Sequence, residues 1–198
     1  MPRPRSHTKD DLIRSAMKYF WTHGYENSRM EDIVKATGVS RHGIYSDIGG
    51  KRALYLAGFQ TYIDEFIAPE FAKVEAQDAD LSDIEAYFES QIARMERSGL
   101  PGPGCLIANA MTDGAPHDPD IQALVKTHNA RLRRGFLSAL RGSAPHLPKT
   151  ALSVMADILM TYMQGLWSMS RSIHRAAYLR MQARGMITLM RRYIDTEK

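Results

Sequence analysis

The chain has 198 residues, of which 44% are hydrophobic and 24% are charged, and its formal net charge is +4. This composition is typical of a folded globular protein, and it excludes a fibrous repeat and a wholly disordered chain. The single cysteine, Cys105, excludes an internal disulfide, and no apolar run approaches the roughly 18 residues of a membrane span. Because the first residues also lack an apolar secretion signal, we expect a cytoplasmic protein.

The positive charge is concentrated at the amino-terminal end of the chain. Residues 1–60 contain ten of the 26 basic and six of the 22 acidic side chains, so sixteen of each remain for the rest. The whole net charge of +4 therefore lies in the first sixty residues. This asymmetry predicts a basic amino-terminal unit that faces phosphate groups and a neutral remainder with a different role.

Helical periodicity dominates the chain, and it starts near the amino terminus. Apolar residues recur at helical spacing from Leu12 to Phe20, and Gly24 is a typical residue beyond a helix end. Ser28 and Glu31 fit a capping box, in which the serine hydroxyl covers a free backbone N–H and the glutamate reaches back. We therefore expect a second helix to begin at this point.

The second and third predicted helices are short and close together. Gly38 interrupts the second helix after about two turns, and Ser40 is a suitable N-cap for a third helix over about Arg41 to Asp47. Gly49-Gly50 then stops the third helix. Two short capped helices joined by a glycine-containing turn predict a helix-turn-helix.

The remaining chain predicts six longer helices separated by proline- and glycine-rich turns, with no sustained strand pattern. Their expected ranges are Lys51 to about Val74, Ser82 to Arg97, Gly104 to Met111, Asp118 to Arg141, Lys149 to Ile173 and Arg175 to Ile194. The predicted fold is therefore all-α, with a three-helix head in residues 1–50 and a six-helix body in residues 51–198 that serves regulation and dimerisation.

A family resemblance rests on several short segments in the first sixty residues. They are Leu12-Ile-Arg-Ser-Ala-Met-Lys-Tyr-Phe20, Gly24-Tyr25, Ser28-Arg-Met-Glu-Asp-Ile33, Gly38-Val-Ser40, Ile44-Tyr45 and Gly50-Lys51-Arg-Ala-Leu54. At this spacing, over about residues 8 to 58, they resemble the DNA-binding domain of TetR/AcrR-type transcriptional regulators. The resemblance implies an all-α homodimer that binds operator DNA with two heads and releases it when a ligand enters the body.

The chain departs from the family pattern at the end of the third helix. It has Ile48 where the family usually has an aromatic residue, and Asp47 where a histidine or asparagine is frequent. In the body, Gly104-Cys-Leu-Ile-Ala-Asn109 and Pro116-His-Asp-Pro119 look like a subgroup of the same family.

The start of the third helix, where helix-turn-helix side chains reach base edges, carries Arg41, His42 and Gly43. An arginine can bond guanine through two hydrogen bonds, and a glycine lets the backbone approach the DNA closely. The alternative interpretation is a solvated helix face with a turn-prone glycine.

Phosphate contacts are expected from five further residues, four in the head and Lys51 directly after it. Tyr45 and Lys51 resemble phosphate-binding positions of the family, although a half-buried core aromatic is an alternative for Tyr45. Ser28, Arg29 and Ser40 stand at helix starts, where backbone N–H groups also favour phosphate.

Two arginines precede the first helix. Arg3 and Arg5 alternate with prolines, which predicts either a basic arm of the kind that some relatives place in the minor groove or a solubilising tail.

Enzyme chemistry is not expected. The chain has no His-Glu-x-x-His, Cys-x-x-Cys or Gly-x-Ser-x-Gly pattern, and its seven histidines are scattered. Gly49-Gly-Lys-Arg52 fails as a phosphate-binding loop because Tyr45 replaces its first glycine and Arg52 its final Ser or Thr. We therefore predict no cofactor and no metal. For Cys105, a small core residue and a thiol that senses electrophiles or metal remain alternatives.

The last two predicted helices carry broad apolar stripes, and the family builds its dimer seam from two such helices. These stripes contain Leu152, Met155, Leu159, Tyr162, Met163, Leu166 and Trp167, and then Leu179, Ala183, Met186, Met190 and Ile194. A core within one chain is the alternative. Candidate ligand-binding residues are the aromatic or flexible apolar side chains of the central helices, with plain core as their alternative role. They are Phe88, Ile92, Met95, Met111, Tyr162 and Trp167.

The predicted function is sequence-specific DNA binding by a transcriptional regulator, a repressor that a ligand releases from its operator. Its predicted partners are a pseudo-palindromic duplex, an apolar or aromatic small molecule and a second copy of the chain, and its predicted place is the nucleoid. Two alternatives remain. One is a constitutive DNA-binding protein or co-regulator without a ligand, and the other is a helical enzyme or carrier that uses the head for interaction.

Overall fold

A computed structural model describes residues 7–197, and the secondary structure of this part of the chain is entirely helical. The α-helices are α1 (Lys9–His23), α2 (Met30–Thr37), α3 (Arg41–Asp47), α4 (Lys51–Tyr62), α5 (Ala68–Phe71), α6 (Leu81–Ser98), α7 (Leu106–Thr112), α8 (Pro119–Ser143), α9 (Lys149–Met169) and α10 (Ala176–Thr196). A π-helical segment, Ile63–Ile67, joins α4 to α5. The all-α fold class that the sequence predicts is confirmed.

The prediction of one continuous α-helix from Lys51 to about Val74 is wrong. Regular α-helix ends at Tyr62, and the π-helical segment follows before the four residues of α5. Pro69 supplies the physical reason, because proline has no N–H to bond the carbonyl four residues earlier. The other long helices are found within a few residues of their predicted bounds.

The described chain divides into two compact units. The first unit contains the described residues up to Ile67 together with Cys105–Val125, and the second contains Ala68–Gly104 and the chain from Lys126 onward. The first unit is therefore discontinuous in sequence. The functional division after residue 50 that the sequence suggests stays a prediction.

The first unit is built around α1, which packs along α4 and also contacts α2 and α7. Gly58 permits this close packing, because a Cβ at that position would lie 3.2 Å from the Cβ of Met17. Aromatic rings fill the space between the helices, with the Phe20 and Tyr55 centroids 5.1 Å apart in an edge-to-face arrangement. This core holds the short helices α2 and α3 in place.

The second unit pairs α6 with α10, and α9 also packs on α10. The Arg180 guanidinium bridges Glu89 and Glu96 of α6 at 2.6 Å each. In its core, the Phe71 ring lies 5.0 Å from that of Tyr87 and 5.5 Å from that of Phe136. The interior of this unit is thus aromatic, and ion pairs lie at its margin.

Candidate nucleic-acid interface

The helix α3 has an exposed outer face and a fixed start. Ser40 is its N-cap, and the serine hydroxyl accepts the N–H of Gly43 at 3.1 Å. This hydroxyl proton is still available to a phosphate oxygen. A Cβ on Gly43 would lie 3.0 Å from the Val39 side chain, so the glycine also has a reason within the fold. His42 is exposed on the first turn.

Arg41 projects from the same helix between an acidic and an aromatic side chain. Its guanidinium lies 3.5 Å from the Glu31 carboxylate, and its Cζ lies 5.9 Å from the centroid of the Tyr45 ring. The side chains of Arg41 and Glu31 are 64% and 73% exposed, so solvent screens this ion pair strongly. Arg41 is therefore free to exchange this carboxylate for a base edge or a phosphate.

Tyr45 is an exposed aromatic residue, not a core one. Half of its surface is accessible, and its ring lies against the backbone of Gly50. Gly50 has a φ of 110°, and a Cβ on it would lie 2.8 Å from Cε1 of Tyr45. The turn between α3 and α4 thus requires glycine at this position, both for its backbone conformation and for the place of the Tyr45 ring.

Lys51 begins α4 and is less free than the residues of α3. Its ammonium lies 4.3 Å from the centroid of the Tyr25 ring, a cation–π contact. Partial burial lowers the pKa of Lys51, and the carboxylates of Glu26 and Asp113 oppose this shift. The lysine is therefore held in one place beside a helix N-terminus.

The capping box predicted for Ser28 and Glu31 is wrong. The N-cap of α2 is Arg29, which makes no side-chain cap, and the hydroxyl of Ser28 donates to the carbonyl of Gly24. Ser28 is 1% exposed, so its contacts lie inside the turn between α1 and α2. The local sequence fits the motif, but the tight turn after Gly24 takes the hydroxyl inward. Arg29 is exposed, as a phosphate contact requires.

Asp47, the acidic residue at which the chain departs from the family pattern, lies close to a histidine. The Asp47 carboxylate lies 3.6 Å from Nε2 of His7, and the Asp47 side chain is 8% exposed. The predicted basic arm, with Arg3 and Arg5, lies outside the described residues.

The segment between α7 and α8, together with the first turn of α8, makes polar contacts that were not predicted from the sequence. Asp113 accepts the backbone N–H of Tyr25 in a close hydrogen bond and that of Glu26 at 3.4 Å. Asp118 accepts two hydrogen bonds from Arg52, at 2.6 and 3.0 Å, and Arg52 also pairs with Asp120. These bonds join the first turn of α4 and the turn before α2 to residues far away in sequence.

Asp118 has a second role, as the cap of α8. Its Oδ1 accepts the N–H groups of Asp120 and Ile121 at 2.9 and 3.2 Å. With the Arg52 guanidinium as the largest cause, these bonds lower the pKa of Asp118 to about 2. Asp followed by proline at the first helical position is a recognisable helix start, so the sequence did carry the signal for this cap.

Five of the six candidate ligand-binding residues lie in the second unit. Phe88 is central among them, with its ring 5.6 Å from that of Trp167 and 6.3 Å from that of Tyr162. Phe88, Trp167 and Ile92 are at most 3% exposed, and Met95 is half-buried. The sixth residue, Met111, belongs to the first unit and is 39% exposed. The structure thus groups three of the predicted rings.

Uncharged polar groups lie buried on the same helices, and of their residues only Tyr162 was predicted from the sequence. The Nε2 atom of Gln91, the Oε1 atom of Gln164 and the hydroxyl of Tyr162 are buried without a hydrogen-bond partner. The other end of Gln91 accepts from Arg94, and the other end of Gln164 donates to Asn129 at 2.9 Å. Glutamines inside otherwise apolar stripes are the signal that could have revealed them.

The predicted apolar stripes of α9 and α10 are largely buried within the chain, which corrects their interpretation as a seam between copies. Ten of the twelve residues are buried, and Tyr162 and Met186 are half-buried. Periodicity selects the most apolar stripe of a helix, and here that stripe faces the core. A different set remains exposed beside it, called here the α9–α10 face: Val154, Ile158, Leu189 and Tyr193, which line a groove of about 650 Å³ with Met186.

Residues 7–197 contain neither a metal-binding cluster nor a membrane-spanning helix. No group of three or more His, Cys, Asp or Glu side chains in this range could hold a metal ion. No helix in this range is long and apolar enough to cross a membrane. Cys105 is a buried free thiol.

The sequence has recognisable relatives. The family described as "Bacterial regulatory proteins, tetR family" matches residues 12–57. The HTH-type transcriptional repressor ComR of Escherichia coli (strain K12) is 30% identical over 169 residues, which is 83% of this chain and 80% of ComR. The uncharacterized HTH-type transcriptional regulator YezE of Bacillus subtilis (strain 168) is 24% identical over 65% of this chain and 66% of YezE.

Solved structures share the fold at lower sequence identity. A cysteine mutant of the TetR family transcriptional regulator CifR, complexed with 26bp double-strand operator DNA, matches with a TM-score of 0.82 at 18% identity, covering 94% of this chain and 98% of that one. A TetR transcriptional regulator from Chloroflexus aurantiacus J-10-FL matches with a TM-score of 0.77 at 20% identity, covering 92% and 93%. The identity and coverage of the ComR match, together with this shared fold, show that the chain belongs to the TetR family of DNA-binding transcriptional regulators.

Proposed function

We propose that the protein is a repressor that binds a pseudo-palindromic operator as a homodimer through α3 and leaves the DNA when a small molecule enters its second unit. The observation that carries this proposal is the cluster of exposed Arg41, His42 and Tyr45 on a capped helix, beside the fixed ammonium of Lys51. A recognition helix needs this combination of a base-reading side chain and phosphate contacts.

The roles divide between base reading and phosphate binding. Arg41 reads a base edge, with guanine as the preferred partner of a two-bond arginine contact, while His42 lies beside it and Gly43 leaves room for the backbone. Tyr45, Lys51, Arg29 and the Ser40 hydroxyl bind phosphates and set the register of α3 on the duplex. Ser28 acts through the turn that it holds, because its hydroxyl is buried and occupied.

A second copy of the chain covers the α9–α10 face. In this proposal the four exposed residues Val154, Ile158, Leu189 and Tyr193 meet their equivalents across a two-fold axis, since a symmetric interface uses the same patch on both copies. A monomer that exposed these adjacent apolar side chains would be prone to association. Two identical heads then explain why the operator should read as an inverted repeat.

The ligand binds among Phe88, Tyr162 and Trp167 in the second unit. The grouping of these rings and the unpaired polar atoms of Gln91 and Gln164 on the same helices support this site. An aromatic molecule with hydrogen-bonding groups would stack on the rings and satisfy the amides. It releases DNA only if it binds the DNA-free arrangement of the protein more tightly.

The proposed sign of regulation follows ComR, which is named a repressor and matches 83% of this chain. FasR of Mycolicibacterium smegmatis, named an activator, is 31% identical over 33% of this chain. The match to FasR covers only 65 residues, so it is weaker support for the sign of regulation than the match to ComR. A reporter gene that carries the selected operator tests the sign directly. Repression requires lower expression when the protein is present.

The DNA-binding half is tested by selecting duplexes from a random pool with the purified protein. We expect an inverted repeat whose half-sites are separated by about one helical turn or a small multiple. Affinity for the selected duplex should fall steeply with salt, with a slope near −0.9 per phosphate contact. A flat salt profile between about 50 and 200 mM would contradict the proposal.

The ligand half is tested by fluorescence in a Trp21→Phe background, where Trp167 is the remaining tryptophan. Aromatic compounds that raise the melting temperature should quench Trp167 emission and weaken binding to the selected duplex. If every such compound leaves operator affinity unchanged, the ligand proposal fails and the DNA-binding proposal stands.

A further inference from the structure

The turn between α1 and α2 is held from a distant part of the first unit. Asp113, at the carboxyl end of α7, accepts the backbone N–H groups of Tyr25 and Glu26 across 88 and 87 residues of sequence. Gly24 makes this approach possible, because its φ is 81° and a Cβ on it would lie 2.9 Å from Oδ2 of Asp113. The carboxylate therefore fixes the backbone of Tyr25 in one position.

The Tyr25 ring transmits this position to Lys51. The ring lies 4.8 Å from that of Tyr55 and 6.3 Å from that of Phe20, centroid to centroid, so neighbouring aromatics restrict its rotation. Its own face receives the Lys51 ammonium at 4.3 Å. The place of the ammonium thus depends on a ring that Asp113 holds by the backbone.

A free lysine would lose much rotational freedom on binding a phosphate. Lysine has one of the most flexible side chains, and ordering it in advance reduces the entropy lost on association. The cation–π contact and the partial burial of Lys51 provide this order before DNA arrives. Any residue that maintains the contact should therefore raise DNA affinity without touching DNA.

We propose that Asp113 is a positioning residue for operator binding, which acts through Tyr25 on Lys51. The inference rests on the proposed contact between Lys51 and a phosphate. It extends the DNA-binding machinery to a residue outside the helix-turn-helix, in the segment that follows α7. It also has a counterintuitive consequence, because removal of an acidic side chain should weaken binding to a polyanion.

A double-mutant cycle tests the proposal. Affinity for the duplex that the wild-type protein selects from a random pool is measured for wild type, Lys51→Ala, Asp113→Ala and the double variant. We expect Lys51→Ala to weaken binding about 10-fold and Asp113→Ala about 5-fold, whereas the double variant should be no weaker than Lys51→Ala. The salt slope of Lys51→Ala should become shallower by about 0.9 for each half-site, whereas that of Asp113→Ala should change less, because its lysine still reaches the phosphate.

Asp113→Asn is the matched control. The asparagine oxygen can still accept the N–H of Tyr25, so this variant should bind DNA at least as tightly as wild type. A role of Asp113 through charge alone predicts tighter binding for both Asp113→Asn and Asp113→Ala. Unchanged or tighter binding by Asp113→Asn, together with weaker binding by Asp113→Ala, therefore separates positioning from electrostatics. The proposal is overturned if Asp113→Ala does not bind more weakly than Asp113→Asn.

A second pair of variants avoids dependence on the stability of Asp113→Ala. Tyr25→Leu removes the aromatic face and should reproduce the loss, again with no additive effect on Lys51→Ala. Tyr25→Phe keeps the face and should bind like wild type. Thermal melting of each variant establishes that the fold is intact.

The outcomes also distinguish failure of the proposed phosphate contact of Lys51 from failure of the positioning role of Asp113. If Lys51→Ala leaves affinity and salt slope unchanged, the phosphate contact of the proposed function fails and the role of Asp113 fails with it. If Lys51→Ala weakens binding but its effect adds fully to those of Asp113→Ala and Tyr25→Leu, the role of Asp113 alone is overturned.

Discussion

The two units are both helical, but the first exposes its candidate functional side chains and the second buries them. The first unit exposes cationic and aromatic side chains such as Arg41 and Tyr45, and it fixes their surroundings through caps, glycines and polar bonds. The second unit buries its candidate side chains, Phe88 and Trp167, and keeps an apolar face on the outside. The contrast indicates that charge and backbone geometry determine the proposed DNA binding of the first unit. Packing and desolvation determine the proposed ligand binding and dimerisation of the second.

The largest expected effect lies on the α9–α10 face of the second unit. Leu189→Glu, at a position 62% exposed in the single chain, should weaken dimerisation by about 100-fold or more. The physical reason is that a two-fold interface buries the charge twice. Sedimentation velocity across a dilution series measures the change.

Thr188→Glu is the matched control, because it places the same charge on the neighbouring exposed position of α10. It should leave the dimer intact. Equal dissociation by both variants, or by neither, would remove the α9–α10 face from the interface.

The next effect belongs to the first unit and changes DNA binding alone. Arg41→Ala should weaken binding to the selected duplex by about 1 to 3 kcal/mol and relax the preference at one base position. Lys51→Ala should instead weaken selected and random duplexes alike. Fluorescence anisotropy with both kinds of duplex distinguishes the two. If Arg41→Ala, like Lys51→Ala, reduces binding to selected and random duplexes equally, α3 does not read bases through Arg41.

The second unit should show a pH dependence of stability that the first does not explain. Burial, followed by the nearby Arg131 charge, lowers the pKa of His128 from its usual 6.5 to about 4, while Glu75 opposes the shift. Between about pH 6.5 and pH 4, His128 is therefore protonated in the unfolded chain but neutral in the folded protein. Stability should fall by about 2 kcal/mol between pH 7 and pH 5 for this reason.

Chemical denaturation at both pH values, for wild type and His128→Gln, measures this contribution. The difference between pH 7 and pH 5 should shrink in His128→Gln. His174→Gln, at an exposed position of the same unit, should keep the wild-type difference. An unchanged difference in His128→Gln would show that the imidazole is protonated as easily in the folded protein as in the unfolded chain.

The smallest expected effect concerns Ser40, where two substitutions should change stability and DNA affinity independently. Ser40→Ala removes the cap of α3 and should destabilise the protein by about 1 kcal/mol. Ser40→Asp keeps a capping oxygen and should retain stability, but its charge should repel phosphate and weaken DNA binding. Thermal melting and anisotropy together test this pair. Loss of stability in Ser40→Asp would mean that the cap requires a hydroxyl.

Local patterns predicted the first unit well. The sequence placed α3 at Arg41 to Asp47 with Ser40 as its cap, and the structure has the same bounds and cap. Ser28 shows the limit of such patterns, because the serine fits a capping motif while its hydroxyl bonds the carbonyl of Gly24. Motifs therefore locate an element reliably, but they do not decide between two nearby acceptors or donors.

Contacts between distant residues were beyond the sequence. Nothing local links Asp113 to Tyr25 or Asp118 to Arg52, since 88 and 66 residues separate them. Periodicity likewise found the apolar stripes of α9 and α10 but not which stripe faces outward, because burial depends on neighbouring helices. The exposed residues, such as Leu189, lie beside the more apolar core positions.

The discontinuity of the first unit has a consequence for recombination of its parts. Residues 1–60 look like a portable reading module, and exchange of such modules between relatives would seem simple. A chimera that transfers only this stretch would leave behind Asp113 and Asp118, the partners of its turn before α2 and of the first turn of α4. Functional grafts should therefore include Cys105–Val125 from the same parent, and natural exchange of heads between such regulators should carry both segments together.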